Sequence, residues 1–133
     1  MNHTSPAILV VEDEPDILNM LHLLIRYWTT EYDLLLAQNG AAALAYMNTR
    51  SIPLVITDYN MPGMNGLQLT AAIKAHTPAP CVVLVTAYPT LALYGTAKSQ
   101  GVDFYLTKPL HFDQLEQIIR TTLHIDIPSN IPT

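Results

Sequence analysis

Five short apolar runs, each separated from the next by a stretch long enough for a helix, constrain this chain more than any other feature. Residues 7–11, 34–37, 53–57, 81–85 and 102–106 are predominantly apolar and do not alternate with polar residues. A strand of that kind is covered on both faces. Between the first two runs, Ile17, Leu21, Leu24 and Trp28 recur at helical spacing, with Asn19, His22 and Arg26 on the opposite side. Pro15 suits the first turn of that helix, over about residues 15–28, because its missing N–H costs nothing there. Asn39 can cap an alanine-rich helix over about 40–48. The loop 59–65 carries the turn signal Pro62-Gly63, and the helix after it runs to about residue 76, where prolines at 78 and 80 end it. A fourth helix spans about 90–99, and Phe112, Leu115, Ile119 and Leu123 give the last helix its apolar stripe. Apolar strands in strict alternation with amphipathic helices predict an α/β fold: a doubly wound, five-stranded parallel sheet in the order 2-1-3-4-5.

The length of 133 residues suits one domain, expected over 1–125, with a loose tail at 126–133 that holds two prolines. Half of the residues are apolar and 13% are charged, which excludes a disordered chain. With six Lys and Arg and a net charge of −5, there is no basic stripe for direct nucleic-acid binding. Cys81 is the only cysteine, so no disulfide framework or cysteine-based zinc site forms, and its apolar setting predicts a buried, inert thiol. The first ten residues lack a signal-peptide pattern, and no apolar run approaches the roughly 18–20 residues that span a bilayer. A cytoplasmic protein without membrane segments is the expectation.

In a doubly wound sheet the functional crevice lies at the carboxyl ends of the strands. The first strand ends in Glu12 and Asp13, the third in Asp58, the fourth in Thr86 and the fifth in Thr107, Lys108 and Pro109. The predicted order makes the first and third strands neighbours, so three carboxylates converge. Two like charges about 4 Å apart repel by about 4 kcal/mol at an effective dielectric of about 20, and one lysine cannot offset three acids. Such a cluster holds either a proton or a cation. A small set of hard oxygen ligands open to solvent suits Mg²⁺ (or Mn²⁺), and no histidine at these strand ends points to zinc or copper. A carboxylate beside such a metal and a lysine has the chemistry to accept a phosphoryl group, with Thr86 able to donate to the same oxygens.

The segments VVEDEP, ITDYNMPGMNG, VTA and FYLTKP, each at the end of its own strand, together resemble the receiver domain of bacterial response regulators, over about residues 7–123. The resemblance implies the flavodoxin-like receiver fold and a two-component signalling role. It implies that Asp58 is the phosphorylated aspartate and that Asp13, Glu12 and the backbone carbonyl of Asn60 serve the metal. It makes Lys108 the phosphoryl-contacting lysine and Pro109 the proline after a cis bond. Thr86 and Tyr105 match the pair that moves together, the threonine toward the phosphoryl group and the ring inward. Asn60 and Tyr88 match positions that modulate hydrolysis of the acyl phosphate. The implied partners are a sensor histidine kinase or phosphotransfer protein, and an output partner or a second copy on the face of the fourth helix, fifth strand and fifth helix. Between Pro89 and Gly101 the only charged residue is Lys98. The chain would phosphorylate and dephosphorylate itself rather than turn over a substrate.

Three other readings compete. A haloacid-dehalogenase-like phosphatase needs a second aspartate two residues after the nucleophile, where this chain has Asn60. A degenerate receiver would bind a partner without phosphorylation, yet every acceptor, metal and lysine position is filled. A flavin-binding domain of the same topology would want a phosphate-cradling loop after the first strand, where this chain has EDEPD.

Overall fold

The computed structural model describes residues 5–125; the tail expected at 126–133 lies outside the described residues. Strands and helices alternate throughout: β1 (Ala7–Val11), α1 (Pro15–Trp28), β2 (Asp33–Ala37), α2 (Gly40–Met47), β3 (Leu54–Asp58), α3 (Gly66–Lys74), β4 (Cys81–Thr86), α4 (Leu91–Ser99), β5 (Phe104–Thr107) and α5 (Phe112–Leu123). The strands form one parallel sheet in the order β2-β1-β3-β4-β5, as the alternation predicts.

The pleat divides the core. Ile8, Val10, Leu54, Ile56, Val83 and Val85 point to the face covered by α1 and α5. Ala7, Leu9, Val11, Val55 and Val82 point to the other, where α2 and α3 pack through residues such as Ala43, Leu69 and Ile73. A third cluster, Leu67, Leu84 and Ala97, seats α4 beside α3. The three central strands β1, β3 and β4 are buried almost throughout, which explains their unbroken apolar runs. The two edge strands are less covered than the sequence predicts: β2 is largely half-buried, and the residues of β5 are exposed or half-buried.

Local chemistry accounts for most element ends. Asn39 and Asn65 each accept a backbone N–H at a helix start, and Gln68 returns the bond to Asn65 to complete a capping box. Thr90, expected inside the fourth helix, stands just outside it as the cap and accepts the N–H of Leu93. The fifth strand begins at Phe104 rather than 102, because the N–H of Val102 closes the end of α4 on the carbonyl of Ala97. The third strand runs one residue further than expected, through Asp58. The inward face of α1 is Leu18, Leu21, Ile25 and Trp28, with Ile17 and Leu24 only flanking it. Phe112, expected in the core stripe of α5, is exposed in the helix's first turn, where Leu115, Ile118, Ile119 and Leu123 face inward. Cys81 is half-buried rather than buried, and burial together with nearby Asp103 pushes its thiol pKa up.

Two cations bind the entry end of the sheet. Buried Arg50 reaches Asp33 at the start of β2 at 2.6 Å and the carbonyl of Ser5 ahead of β1 at 3.2 Å. Lys74, at the end of α3, reaches the carbonyl of Pro80 ahead of β4 and Asp103 ahead of β5, both at 2.7 Å. Asp103 in turn accepts the N–H of Val82 at 2.8 Å. Among the described residues, no helix is long and apolar enough to cross a membrane.

Candidate functional site

The register of the sheet builds the site. Val11 pairs with Thr57, so the next residues, Glu12 and Asp58, leave β1 and β3 side by side. Asp58 also pairs with Val85, which sets Thr86 one step further along β4, and Thr86 pairs with Thr107 of β5. Lys108 follows, its N–H held by the carbonyl of Thr86 at 2.8 Å. The Lys108–Pro109 peptide bond is cis.

Glu12, Asp13 and Asp58 each offer a carboxylate oxygen, and these oxygens lie within 4.8 Å of one another. Glu12 is 3% exposed and Asp58 7%, while Asp13 is half-buried. Beneath them lies an apolar floor that includes Ile17, Leu21 and Ile56, enclosing a cavity of about 20 Å³. The ammonium of Lys108 sits 3.2 Å from Oδ1 of Asp58 and 3.3 Å from Oε1 of Glu12. Three carboxylates thus share one cation. Burial, and then the charge of Asp58, push the pKa of Glu12 from 4.5 up to about 7. Burial raises that of Asp58 too, against the pull of Lys108. Lys108 is itself raised: burial works against its charge, and the two acids outweigh burial.

Oδ1 of Asp58 is fully buried and, despite its distance from Lys108, makes no aligned hydrogen bond. A buried carboxylate oxygen without a donor is costly, and a hard cation relieves that cost together with the mutual repulsion of the acids. The donor set, all oxygen and anionic, fits Mg²⁺.

The remaining predicted residues fall around this centre. Thr86 is buried, and its hydroxyl oxygen accepts the N–H of Tyr88 at 3.1 Å. Asn60 is exposed, two residues beyond Asp58. Tyr88 is 78% exposed, so its ring is not packed over the acids. Tyr105 is half-buried, packed beside Leu84, Ala97 and Leu93. Sequence reasoning missed Gly66, whose Cα lies so close to Asp58 that a Cβ there would stand 2.5 Å from the Asp58 carbonyl oxygen. The Asn65-Gly66 dipeptide was the available signal, and it reads equally well as an ordinary helix start.

The sequence model of the response regulator receiver domain matches residues 8–120. The chain belongs to this family. It is a receiver domain of the two-component type, and the family match supports that reading over the phosphatase and the phosphorylation-independent module. The receiver is 35% identical over 129 residues to the transcriptional regulatory protein GlrR of Escherichia coli K12, covering 97% of this chain and 29% of GlrR. It is 34% identical to the sensor histidine kinase GacS of Pseudomonas protegens, covering 90% of this chain and 13% of GacS. It therefore spans under a third of the length of these curated relatives. Among solved structures, the signal receiver domain of an HD domain-containing protein from Pseudomonas fluorescens Pf-5 superposes with a TM-score of 0.82 at 31% identity, covering 90% of this chain and 95% of that one.

Proposed function

We propose that this receiver takes a phosphoryl group on Asp58 from a phosphohistidine of a sensor kinase or phosphotransfer protein. The observation that carries the reading is the buried, undonated Oδ1 of Asp58 beside Lys108 in a cluster of three carboxylates. A carboxylate oxygen of Asp58 attacks phosphorus, an acyl phosphate P–O bond forms, the P–N bond to imidazole breaks, and the imidazole leaves with the electron pair. Glu12, Asp13, Asp58 and the backbone carbonyl of Asn60 would hold Mg²⁺ (or Mn²⁺), which when bound offsets charge on the phosphoryl oxygens. Lys108 supplies a second positive charge from the β5 side, and its pairing with Asp58 and Glu12 fixes its ammonium where those oxygens arrive. Thr86 presents a hydroxyl that can turn from the Tyr88 N–H to the phosphoryl group. Water returns the acceptor to the free acid, with Asn60 and Tyr88 setting the rate.

The output follows from position. Thr86 leads to α4, and exposed Leu91, Tyr88 and Phe104 give the α4–β5–α5 face an apolar surface for an output partner or a second copy. The test is labelling by acetyl phosphate, with and without Mg²⁺, of the unsubstituted chain and of Asp58→Asn. One phosphoryl group on the unsubstituted chain only with Mg²⁺, and none on the variant, is the expected result. Labelling of Asp58→Asn to the same extent would move the acceptor elsewhere.

A further inference from the structure

Tyr105 is held by something other than a hydrogen bond. Its hydroxyl is buried and finds no hydrogen-bonding partner among the described residues. An unpartnered buried hydroxyl opposes the inward position of the ring. Packing has to supply the opposing force, and one contact stands out for its geometry. The ring of Tyr94, on α4, meets that of Tyr105 edge to face, with centroids 5.3 Å apart and planes at 82°. Edge-to-face aromatic pairs stabilise beyond the area they bury. The ammonium of Lys98, one turn further along α4, lies over the Tyr94 ring, 5.8 Å from its centroid, within reach of a cation–π contact. Tyr94 is otherwise poorly anchored, at 44% exposed on a helix whose sole buried side chain is Ala97.

We infer that Tyr94 is a positioning residue for the phosphorylation switch: its ring edge-packs Tyr105 and so biases Tyr105 toward the inward position before any phosphoryl group arrives. The inference rests on the reading of Asp58 as acceptor and of Thr86 with Tyr105 as the coupled pair. If the inward ring accompanies a bound phosphoryl group, whatever holds it inward in the free protein also strengthens phosphoryl binding. Tyr94 then sets how far the resting receiver already leans toward its signalling state. An aliphatic residue at 94 would keep the packing volume and lose the ring pairing.

The experiment measures the affinity of the whole chain for beryllofluoride with Mg²⁺, in the unsubstituted protein, Tyr94→Leu, Tyr94→Phe, Tyr105→Ala and the double variant Tyr94→Leu/Tyr105→Ala, with thermal unfolding of each. Tyr94→Leu should bind about two- to tenfold more weakly, the range that an aromatic pair of this kind supports. Tyr94→Phe should restore the affinity, because it keeps the ring. In the Tyr105→Ala background, Tyr94→Leu should change nothing, which a general loss of stability would not reproduce. Equal affinity of Tyr94→Leu and the unsubstituted protein would overturn the inference and leave the acceptor reading standing, as would an equal loss with and without Tyr105. No beryllofluoride binding by the unsubstituted protein would overturn the acceptor reading and this inference with it.

Discussion

Gly66 and Asp58 share a space that admits no side chain between them: a Cβ on residue 66 would stand 2.5 Å from the carbonyl oxygen of Asp58 and 2.8 Å from the Cα of Tyr59. A third obstacle, Cδ1 of Leu84 at 2.6 Å, is a side-chain end that can shift, but these two are backbone, so full relief has to come from moving β3 or the start of α3. Gly66→Ala should therefore cost about 1–3 kcal/mol of stability, the usual cost of overpacking, although alanine favours helix more than glycine does. Because the atom displaced belongs to Asp58, acetyl phosphate labelling should slow as well. Denaturant unfolding and the labelling rate, measured on one preparation, check both halves.

Lys108 stabilises the acids it separates. Lys108→Ala leaves Glu12 and Asp58 buried without a cation, and in Mg²⁺-free buffer near neutral pH the variant should be destabilised, by less than the roughly 3–5 kcal/mol of a fully buried pair because Lys108 is partly exposed. Asp58→Asn should do the reverse and raise the unfolding midpoint, since it removes one of three crowded charges. A Tm series with EDTA present decides the pair, and a destabilised Asp58→Asn would contradict the account of repulsion.

The pH dependence has a definite sign. Glu12 holds its proton up to about pH 7 when folded and to about 4.5 by its ordinary value, so between these limits the folded state binds more protons. Its contribution to stability is full below pH 4.5 and is lost as pH rises toward 7, on the order of 2–3 kcal/mol in the absence of metal. Glu12→Gln should flatten this part of the profile. Urea unfolding from pH 4.5 to 8 in EDTA gives the comparison, and an unchanged slope in the variant would assign the titration to another group.

Tyr88 is exposed in the free receiver, yet its backbone is tied to the hydroxyl of Thr86. On the proposed reading, a turn of Thr86 toward the phosphoryl group would release that bond and free the residue to settle over Asp58. Tyr88→Ala should then shorten the lifetime of the acyl phosphate several-fold while leaving its rate of formation alone. The decay of ³²P label after removal of the donor is the readout.

Much of this was legible in the residues, for reasons that differ by element. The central strands announce themselves because burial on both faces leaves no polar position in Ile8–Val10 or Val82–Val85. The acid cluster was legible because parallel topology sends every strand's carboxyl end to one side, so Glu12, Asp13, Asp58 and Lys108 had to meet. Edge strand β5 was placed two residues early because Val102 and Asp103 are spent on closing α4 and pairing with Val82, which local apolarity does not encode. Phe112 was misread because helical spacing gives a face but not the residue at which the core begins. Gly66 and the Tyr94–Tyr105 pair were invisible for a common reason: each depends on how closely a strand and the neighbouring helix approach across a loop, which the residue types alone do not encode.

Arg50 and Lys74 between them lash together the entrances of all five strands, through Ser5, Asp33, Pro80, Asp103 and the turn before β3 that carries Arg50 itself. The exits hold mutually repelling acids instead. The sheet thus resembles a hand bound at the wrist with its fingers free. A new charge at the fingertips cannot be taken up by sliding strands lengthwise, because their other ends are fixed. The route that remains runs across the sheet, and on the proposed reading of Asp58 the register joining Asp58 to Val85 and Thr86 to Thr107 gives a change of a few atoms its heading.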